Sequence, residues 1–215
     1  VMELQRNMKY YGILSMLPGP VTYYDVQKVF GIQNGEVPQR RSLEYAIDEL
    51  GIRKGKDFHR ALADAIYTAK VLQTLDMEKV FVYSSVDVYQ NPKKRKEEIF
   101  LSYPEYDQYI FREFDDKDRI MKDREVTSTR CPICHFPAKR KLRWFLNNSK
   151  AYESLSLCQK HGWVHGKIRI YHTEDEKYYP VKTLKNVDEK AAEELREKRE
   201  SLRLKKQVKR QSEKI

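Results

Sequence analysis

The sequence predicts an α/β protein made of a helical first part, a small β-rich module and a charged C-terminal helix. Three observations predict this organisation. Apolar residues recur at helical spacing over most of residues 1–76, short alternating strands surround two metal-ligand pairs within residues 107–187, and residues 188–215 are rich in Glu, Lys, Arg and Ala. The intervening residues 77–106 are dense in charge, which is typical of a linker.

Composition limits the classes of partner. The net charge is +10 and the isoelectric point is near 9.3, which favours a polyanionic partner, and an aromatic content of 12% favours nucleic acid over a membrane surface. No apolar run approaches the ~18 residues that a membrane span needs, so no membrane partner is expected. A basic protein with an ordinary charged tail is the alternative. Three cysteines, two of them in Cys-x-x-Cys, indicate a metal site in a reducing cytoplasm.

The first elements are predicted from periodicity and capping residues. Residues 1–12 predict a helix that ends at Gly12, and Val21–Tyr24 predicts a buried strand because it is β-branched and aromatic. Asp25 is interpreted as the N-cap of the next helix in preference to a metal ligand, and Ser42 as the N-cap of the one after it. The residues expected to face inward on the first and third helices are Val1, Leu4, Met8 and Tyr11, and Leu43, Ala46, Ile47 and Leu50.

The helix predicted over Asp57–Lys70 carries one histidine and one carboxylate five residues apart. On a continuous helix His59 and Asp64 would be separated by about 140°, so they share a site only if His59 precedes the first turn. Asp64 lies off the expected buried stripe, and an off-stripe aspartate is usually just solvated. The stripe expected to be buried consists of Leu62, Ala65, Ile66, Ala69 and Leu72.

The run His59-Arg-Ala-Leu-Ala-Asp64-Ala, with Ser42–Gly51 upstream, resembles the third motif and preceding helix of the DEDDh family of 3′–5′ exonucleases. The resemblance implies a partial RNase H-like domain in residues 1–76. It also implies that His59 is a general base and that Asp64 binds one of two catalytic Mg²⁺ or Mn²⁺ ions. The family's Asp-x-Glu strand and second aspartate would then precede Val1, so we expect little or no nuclease activity from these 215 residues alone.

The implied roles fit the chemistry of phosphodiester hydrolysis. A histidine can take a proton from water near neutral pH, and carboxylates hold the hard cations that stabilise the attacking and leaving oxygens. The basic loop before His59 would meet substrate phosphates, unless it is only a solvated turn. Its cations are Arg53, Lys54 and Lys56.

Cys131-Pro-Ile-Cys134 and Cys158-Gln-Lys-His161 are separated by 23 residues, which predicts a zinc-ribbon-like site. Four protein ligands leave no open position, so the Zn²⁺ is expected to be structural. His161 is the preferred fourth ligand, with His165 and His135 as alternatives. The strands predicted around the site are Tyr109–Phe114, Val126–Thr129, Lys141–Leu146 and Lys167–Tyr171.

Cations run beside aromatic residues in this module, which is typical of a surface that binds single-stranded DNA or RNA. The alternative is that Trp144 and Trp163 fill a small core and the cations are ordinary surface. The predicted binding residues of the module are Lys139, Arg140, Lys141, Arg143, Trp144, Lys167 and Arg169.

Residues 188–215 predict a long, exposed helix with a frayed end, and Leu195 and Leu202 are too few for a coiled coil. A homodimer or a protein partner that binds through this helix is therefore left open by the sequence. Three functions therefore follow from the sequence. They are a 3′–5′ exonuclease segment with a zinc ribbon, a non-catalytic nucleic-acid-binding protein, and a zinc-stabilised protein-interaction module.

Overall fold

The computed structural model describes residues 2–13, 20–35, 41–55, 58–87, 90–147, 150–173 and 175–212. The chain divides into two compact units, Val1–Gln90 and Asn91–Ile215. Both helices and sheets are present, so the α/β prediction is confirmed at that level, and the RNase H-like arrangement stays a prediction. Among the described residues, no helix combines the length and the apolar character that crossing a membrane requires.

The described part of the first unit is mainly helical. Its two short strands pair in antiparallel fashion, with Thr22 opposite Val86. The buried residues Phe30, Ile47 and Val71 come from three different helices and form the centre of this unit. Its elements are α1 (Met2–Tyr10), β1 (Val21–Tyr23), α2 (Val26–Gln33), α3 (Leu43–Glu49), α4 (Ala61–Gln73), α5 (Met77–Val80), a 3-10 turn (Phe81–Tyr83) and β2 (Ser85–Asp87).

The predicted helix caps are confirmed. The Asp25 carboxylate accepts a hydrogen bond from the backbone N–H of Lys28 at 3.2 Å, and the Ser42 hydroxyl accepts one from Tyr45 at 3.1 Å. Each bond satisfies a backbone donor that the first turn of a helix leaves without a partner. The predicted cap Asp57 lies outside the described residues, and Arg60 occupies the N-cap position of α4 without a side-chain capping bond.

The predicted buried stripe of α1 is wrong. Among the residues of this helix whose burial is described, Gln5 is buried, whereas Leu4 is 54% exposed and Tyr11 is 72% exposed. The stripe's first member, Val1, lies outside the described residues. Tyr11 lies beyond the last helical residue, Tyr10, and stacks edge-on against the ring of that residue.

The predicted stripe of α4 is also wrong, because the buried face is Ala63, Tyr67 and Val71. The ring of Tyr67 stacks on Phe58 with 4.9 Å between centroids, and its hydroxyl accepts a hydrogen bond from the N–H of Gly55. The helix is therefore oriented by an aromatic side chain with a polar tip. Among the residues predicted to be buried, Leu62 is 69% exposed, Leu72 is 41% exposed, and Ala65 and Ala69 are exposed.

A six-stranded antiparallel sheet forms the second unit. Its strand order is β3-β4-β8-β7-β6-β5. The predicted linker, residues 77–106, contains α5, β2 and β3 as well as charged turns. The elements of the second unit are a 3-10 turn (Arg95–Glu97), β3 (Ile99–Ser102), β4 (Tyr106–Ile110), α6 (Lys117–Ile120), α7 (Arg124–Thr127), β5 (Lys139–Leu146), β6 (Ala151–Cys158), β7 (Gly162–His172), β8 (Tyr178–Val187) and α8 (Glu189–Ser212).

The strand predictions differ in outcome. Lys141–Leu146 and Lys167–Tyr171 lie within β5 and β7, as predicted. The strand predicted over Tyr109–Phe114 begins earlier, at Tyr106, and ends at Ile110. Val126–Thr129 is not a strand, because the Asp123 carboxylate accepts hydrogen bonds from the N–H groups of Glu125 and Val126 and so starts the short helix α7.

Each face of the sheet has its own cover. On one face, the segment between β4 and β5 packs against Ile168 through Phe111, Ile120 and Val126. On the other, Ala192 and Leu195 of α8 pack against Leu142 and Leu155. The expectation of a fully exposed C-terminal helix is therefore wrong for its first half, because Ala192 and Leu195 are buried in this hydrophobic cluster.

Candidate metal centre and nucleic-acid-binding residues

Cys131, Cys134, Cys158 and His161 converge at one end of the sheet, where their ligand atoms all lie within 4.8 Å of one another. The Sγ atoms of Cys134 and Cys158 are 3.7 Å apart. His161 Nδ1 lies 3.5 Å from Cys131 Sγ and 3.8 Å from Cys158 Sγ. A tetrahedral zinc ion with Zn–S bonds of about 2.3 Å requires edges of roughly 3.5–3.8 Å between its ligands, which these separations match.

Two backbone turns bring the four ligands together. In the first turn, Cys131 donates its N–H to the carbonyl of Phe136 at 3.0 Å and accepts the N–H of His135 at 2.8 Å. The second turn joins β6 to β7, and Gly162 adopts a φ of +76° there, which glycine accepts without a steric cost. Each metal-ligand pair therefore sits on a tight, hydrogen-bonded turn.

The electrostatics of the centre favour a thiolate at Cys158. Burial raises the pKa of this thiol, but the backbone N–H groups of Lys160 and His161 and the neighbouring thiols Cys134 and Cys131 bring it down to about 6. Thiolate is the form of cysteine that binds metals. Asn186 supports the site from β8 by donating a hydrogen bond to the carbonyl of His161 at 3.2 Å.

The two alternative histidines have other surroundings. His165 lies within the strand β7, and burial lowers its pKa. His135 places Nδ1 3.3 Å from the carboxylate of Asp107. Of the three histidines, only His161 joins the cysteine sulfurs among the described residues. Three thiolates and one imidazole can hold a metal such as zinc, and four protein ligands suit a structural role.

His59 and Asp64 are brought together in the first unit through the backbone. The Asp64 carboxylate accepts a hydrogen bond from the N–H of His59 at 3.2 Å. His59 has a φ of +66°, and its side chain is exposed, while Asp64 is half-buried. The contact also holds the entry into α4, which lacks a side-chain cap at Arg60. In the part of the chain that the structure describes, Asp64 belongs to no cluster of three potential metal ligands.

One cation of the predicted basic loop of the first unit, Lys54, forms ion pairs within that unit. Lys54 Nζ lies 2.6 Å from Asp48 and 3.5 Å from Glu44, and these acidic neighbours raise its pKa, Asp48 first. Arg53 is exposed, and Lys56 lies outside the described residues. Arg53 is therefore the described cation of this loop that a phosphate reaches most readily.

The predicted binding residues of the second unit fall into separate groups. Lys139, Arg140, Lys141 and Arg143 are exposed on β5, an edge strand of the sheet. Lys139 pairs with Leu157 of β6, which in turn pairs with Trp163 of β7. Arg169 lies six residues beyond Trp163 on β7, a distance of about 20 Å along the strand. The cations at the start of β5 and those of β7 therefore belong to different parts of the sheet.

Trp144 is half-buried, and internal contacts fix its ring. Its indole N–H donates to the carbonyl of Thr127 at 2.9 Å, and its ring packs against the buried cluster around Ile168. Lys167 shares a strand face with Arg169, as predicted, and burial lowers its pKa, as do the charges of Arg169 and Lys198. Trp163 packs against α8, where the Arg196 guanidinium lies 4.6 Å from the ring. Both half-buried tryptophans make contacts inside the second unit, as the alternative interpretation expects, and nucleic-acid binding by Trp144 stays a prediction.

Sequence reasoning missed three residues near the metal centre. Asn186 hydrogen-bonds a ligand turn, Phe136 extends 65% of its surface into solvent, and Lys160 lies 5.9 Å above the Phe136 ring. Phe136 and Lys160 are close in sequence to the candidate metal ligands, so the sequence could have indicated their position near the site. Asn186 is distant in sequence from those ligands, and nothing in the sequence indicated its position.

Comparison with known protein-family models, curated proteins and solved structures gave no match for this chain.

Proposed function

We propose that this chain acts on single-stranded nucleic acid as part of a metal-dependent 3′–5′ exonuclease. His59 takes the proton from the attacking water, and Asp64 is a ligand of a catalytic Mg²⁺ or Mn²⁺ ion. The zinc-binding second unit contributes basic surface for the strand. The resemblance assigns only these two of the family's site residues to this chain.

The hydrogen bond between Asp64 Oδ1 and the His59 N–H supports this proposal most directly. This bond is compatible with a shared site, because His59 lies ahead of the first turn of α4 and its backbone N–H reaches the carboxylate. A non-glycine residue with positive φ is uncommon, and such backbone occurs often at functional sites. The exposed imidazole is accessible to a water molecule and a substrate.

The test is digestion of a 5′-labelled single strand by the gene product with its native N-terminus, in Mg²⁺ or Mn²⁺. We expect shortening from the 3′ end, and a loss of at least about 100-fold in rate for His59→Ala and Asp64→Asn. Glu49→Gln, an exposed carboxylate on α3, is the matched control. The 215-residue chain alone should show little activity. Wild-type rates in both variants would refute the assignment.

A non-catalytic nucleic-acid-binding protein is the second candidate. It is favoured by the absence of further acidic or cysteine and histidine ligands around Asp64 among the described residues. In this case the Asp64–His59 contact is only a helix cap. The gene product would then bind single strands in a salt-dependent manner and leave them intact in either metal.

A further inference from the structure

The turn that carries Cys131 and Cys134 presents apolar side chains to solvent. Phe136 is 65% exposed and Ile133 is 59% exposed. The backbone of Phe136 is nevertheless fixed, because its carbonyl accepts the N–H of Cys131 at 3.0 Å and the next residue, Pro137, is bridged to Arg130. The turn that carries two candidate metal ligands therefore fixes the backbone beneath an exposed aromatic ring.

A cleft of about 380 Å³ adjoins this ring, between the metal-ligand turns and the first residue of β5. We call it the knuckle cleft. Its apolar lining is Phe136, Pro137 and Leu157, and its cations are Lys139 and Lys160. None of the described residues that line it is acidic. Lys160 Nζ is 5.9 Å from the centroid of the Phe136 ring.

The shape and charge of the knuckle cleft favour a nucleobase over a peptide. A helical peptide needs a long groove with anchor pockets one turn apart, and this short cleft offers one flat ring. Single strands are held by base stacking on aromatic faces combined with cations along the backbone. The net charge of +10 gives the chain the long-range attraction that a polyanion requires.

We propose that the knuckle cleft binds one base of a single-stranded nucleic acid. The base stacks on Phe136, and Lys139 and Lys160 contact the phosphates on either side of it. This inference rests on the proposed function in one respect only, that the ligand is nucleic acid. It does not depend on hydrolysis at His59 and Asp64.

Fluorescence anisotropy with a labelled single strand of about 12 nucleotides tests the cleft, using the zinc-loaded full chain. Phe136→Ala should raise Kd by about 5- to 150-fold, the range for losing one stacked base. Phe136→Tyr keeps the ring and should bind within about twofold of wild type. Zinc content measured on each variant verifies that the turn is intact.

The cations have a separate readout. Lys139→Ala and Lys160→Ala should each lower the slope of log Kd against log salt by about 0.7, and Lys190→Ala, an exposed residue of α8, should leave it unchanged. If the wild-type chain binds the strand and zinc-loaded Phe136→Ala binds equally well, the cleft is refuted and the proposed function stands. If the wild-type chain binds no strand, the cleft is refuted as a nucleobase site. The digestion assay on the gene product then decides the proposed function independently.

Discussion

The indole of Trp144 lies directly over Gly166. A Cβ atom built at residue 166 would come within 2.7 Å of Trp144 Cη2 and within 2.7 Å of the Ser154 hydroxyl oxygen. Neither neighbour can yield easily, because the indole N–H is held by the Thr127 carbonyl at 2.9 Å and Ser154 is buried within β6. The glycine in the middle of β7 is therefore required by close packing.

This contact predicts that Gly166→Ala destabilises the second unit by about 1–3 kcal/mol, the usual cost of overpacking a core. Urea unfolding followed by tryptophan fluorescence measures the change, because both tryptophans of the chain lie in this unit. Lys190→Ala, an exposed substitution in the same unit, is the control. An unfolding midpoint equal to that of the control would contradict the prediction.

The assignment of the fourth metal ligand predicts a difference among three histidine variants. His161→Ala removes an imidazole whose Nδ1 is 3.5 Å from Cys131 Sγ, so we expect reduced zinc retention after dialysis and loss of the second unit's cooperative unfolding. His135→Ala and His165→Ala should retain zinc at the wild-type level. Metal content by mass spectrometry checks all three. Retention by His161→Ala together with release by His165→Ala would move the ligand to residue 165.

Lys182 provides a pH-dependent prediction. Its ammonium is buried among the rings of Tyr109 and Phe111 and donates to the carbonyls of Glu125 and Ser128. Burial, and secondarily Arg130, lowers its pKa to about 7. Between this pH and the ordinary pKa of lysine, 10.5, the unfolded chain binds more protons than the folded one. The free energy of unfolding should therefore rise with pH across that window.

The change to test is Lys182→Met, measured as the difference in unfolding free energy from wild type between pH 7 and 10. The free energy of unfolding of wild type minus that of the variant should increase by up to about 1.4 kcal/mol per pH unit, the limit for one proton. Groups that titrate in both proteins cancel from this difference. A difference that stays constant with pH would show that the amine keeps its charge in the folded state.

The clustering of Cys131, Cys134, Cys158 and His161 was predictable because metal chemistry ties such residues to short, recognisable spacings. The sequence leaves the role of Trp144 open, because the glycine that receives its ring is 22 residues away and only the strand register brings them together. The buried face of α4 was missed for a related reason. Counting aliphatic positions overlooks an aromatic residue such as Tyr67, whose ring and hydroxyl both find partners.

The docking of α8 depends on a buried carboxylate, which gives the last prediction. The Glu153 side chain is 5% exposed and lies 2.8 Å from Lys198 Nζ, with Asn147 donating to its other oxygen at 2.9 Å. Lys198→Met removes the cation and should cost about 1–3 kcal/mol, because the carboxylate stays buried with fewer partners.

Adding Glu153→Gln to this variant should restore part of the lost stability, since a neutral amide is less costly to bury. Lys190→Met, exposed on the same helix, should change stability by less than about 0.5 kcal/mol. Urea unfolding by tryptophan fluorescence compares the variants, and equal midpoints for Lys198→Met and Lys190→Met would mean that the ion pair does not hold the helix.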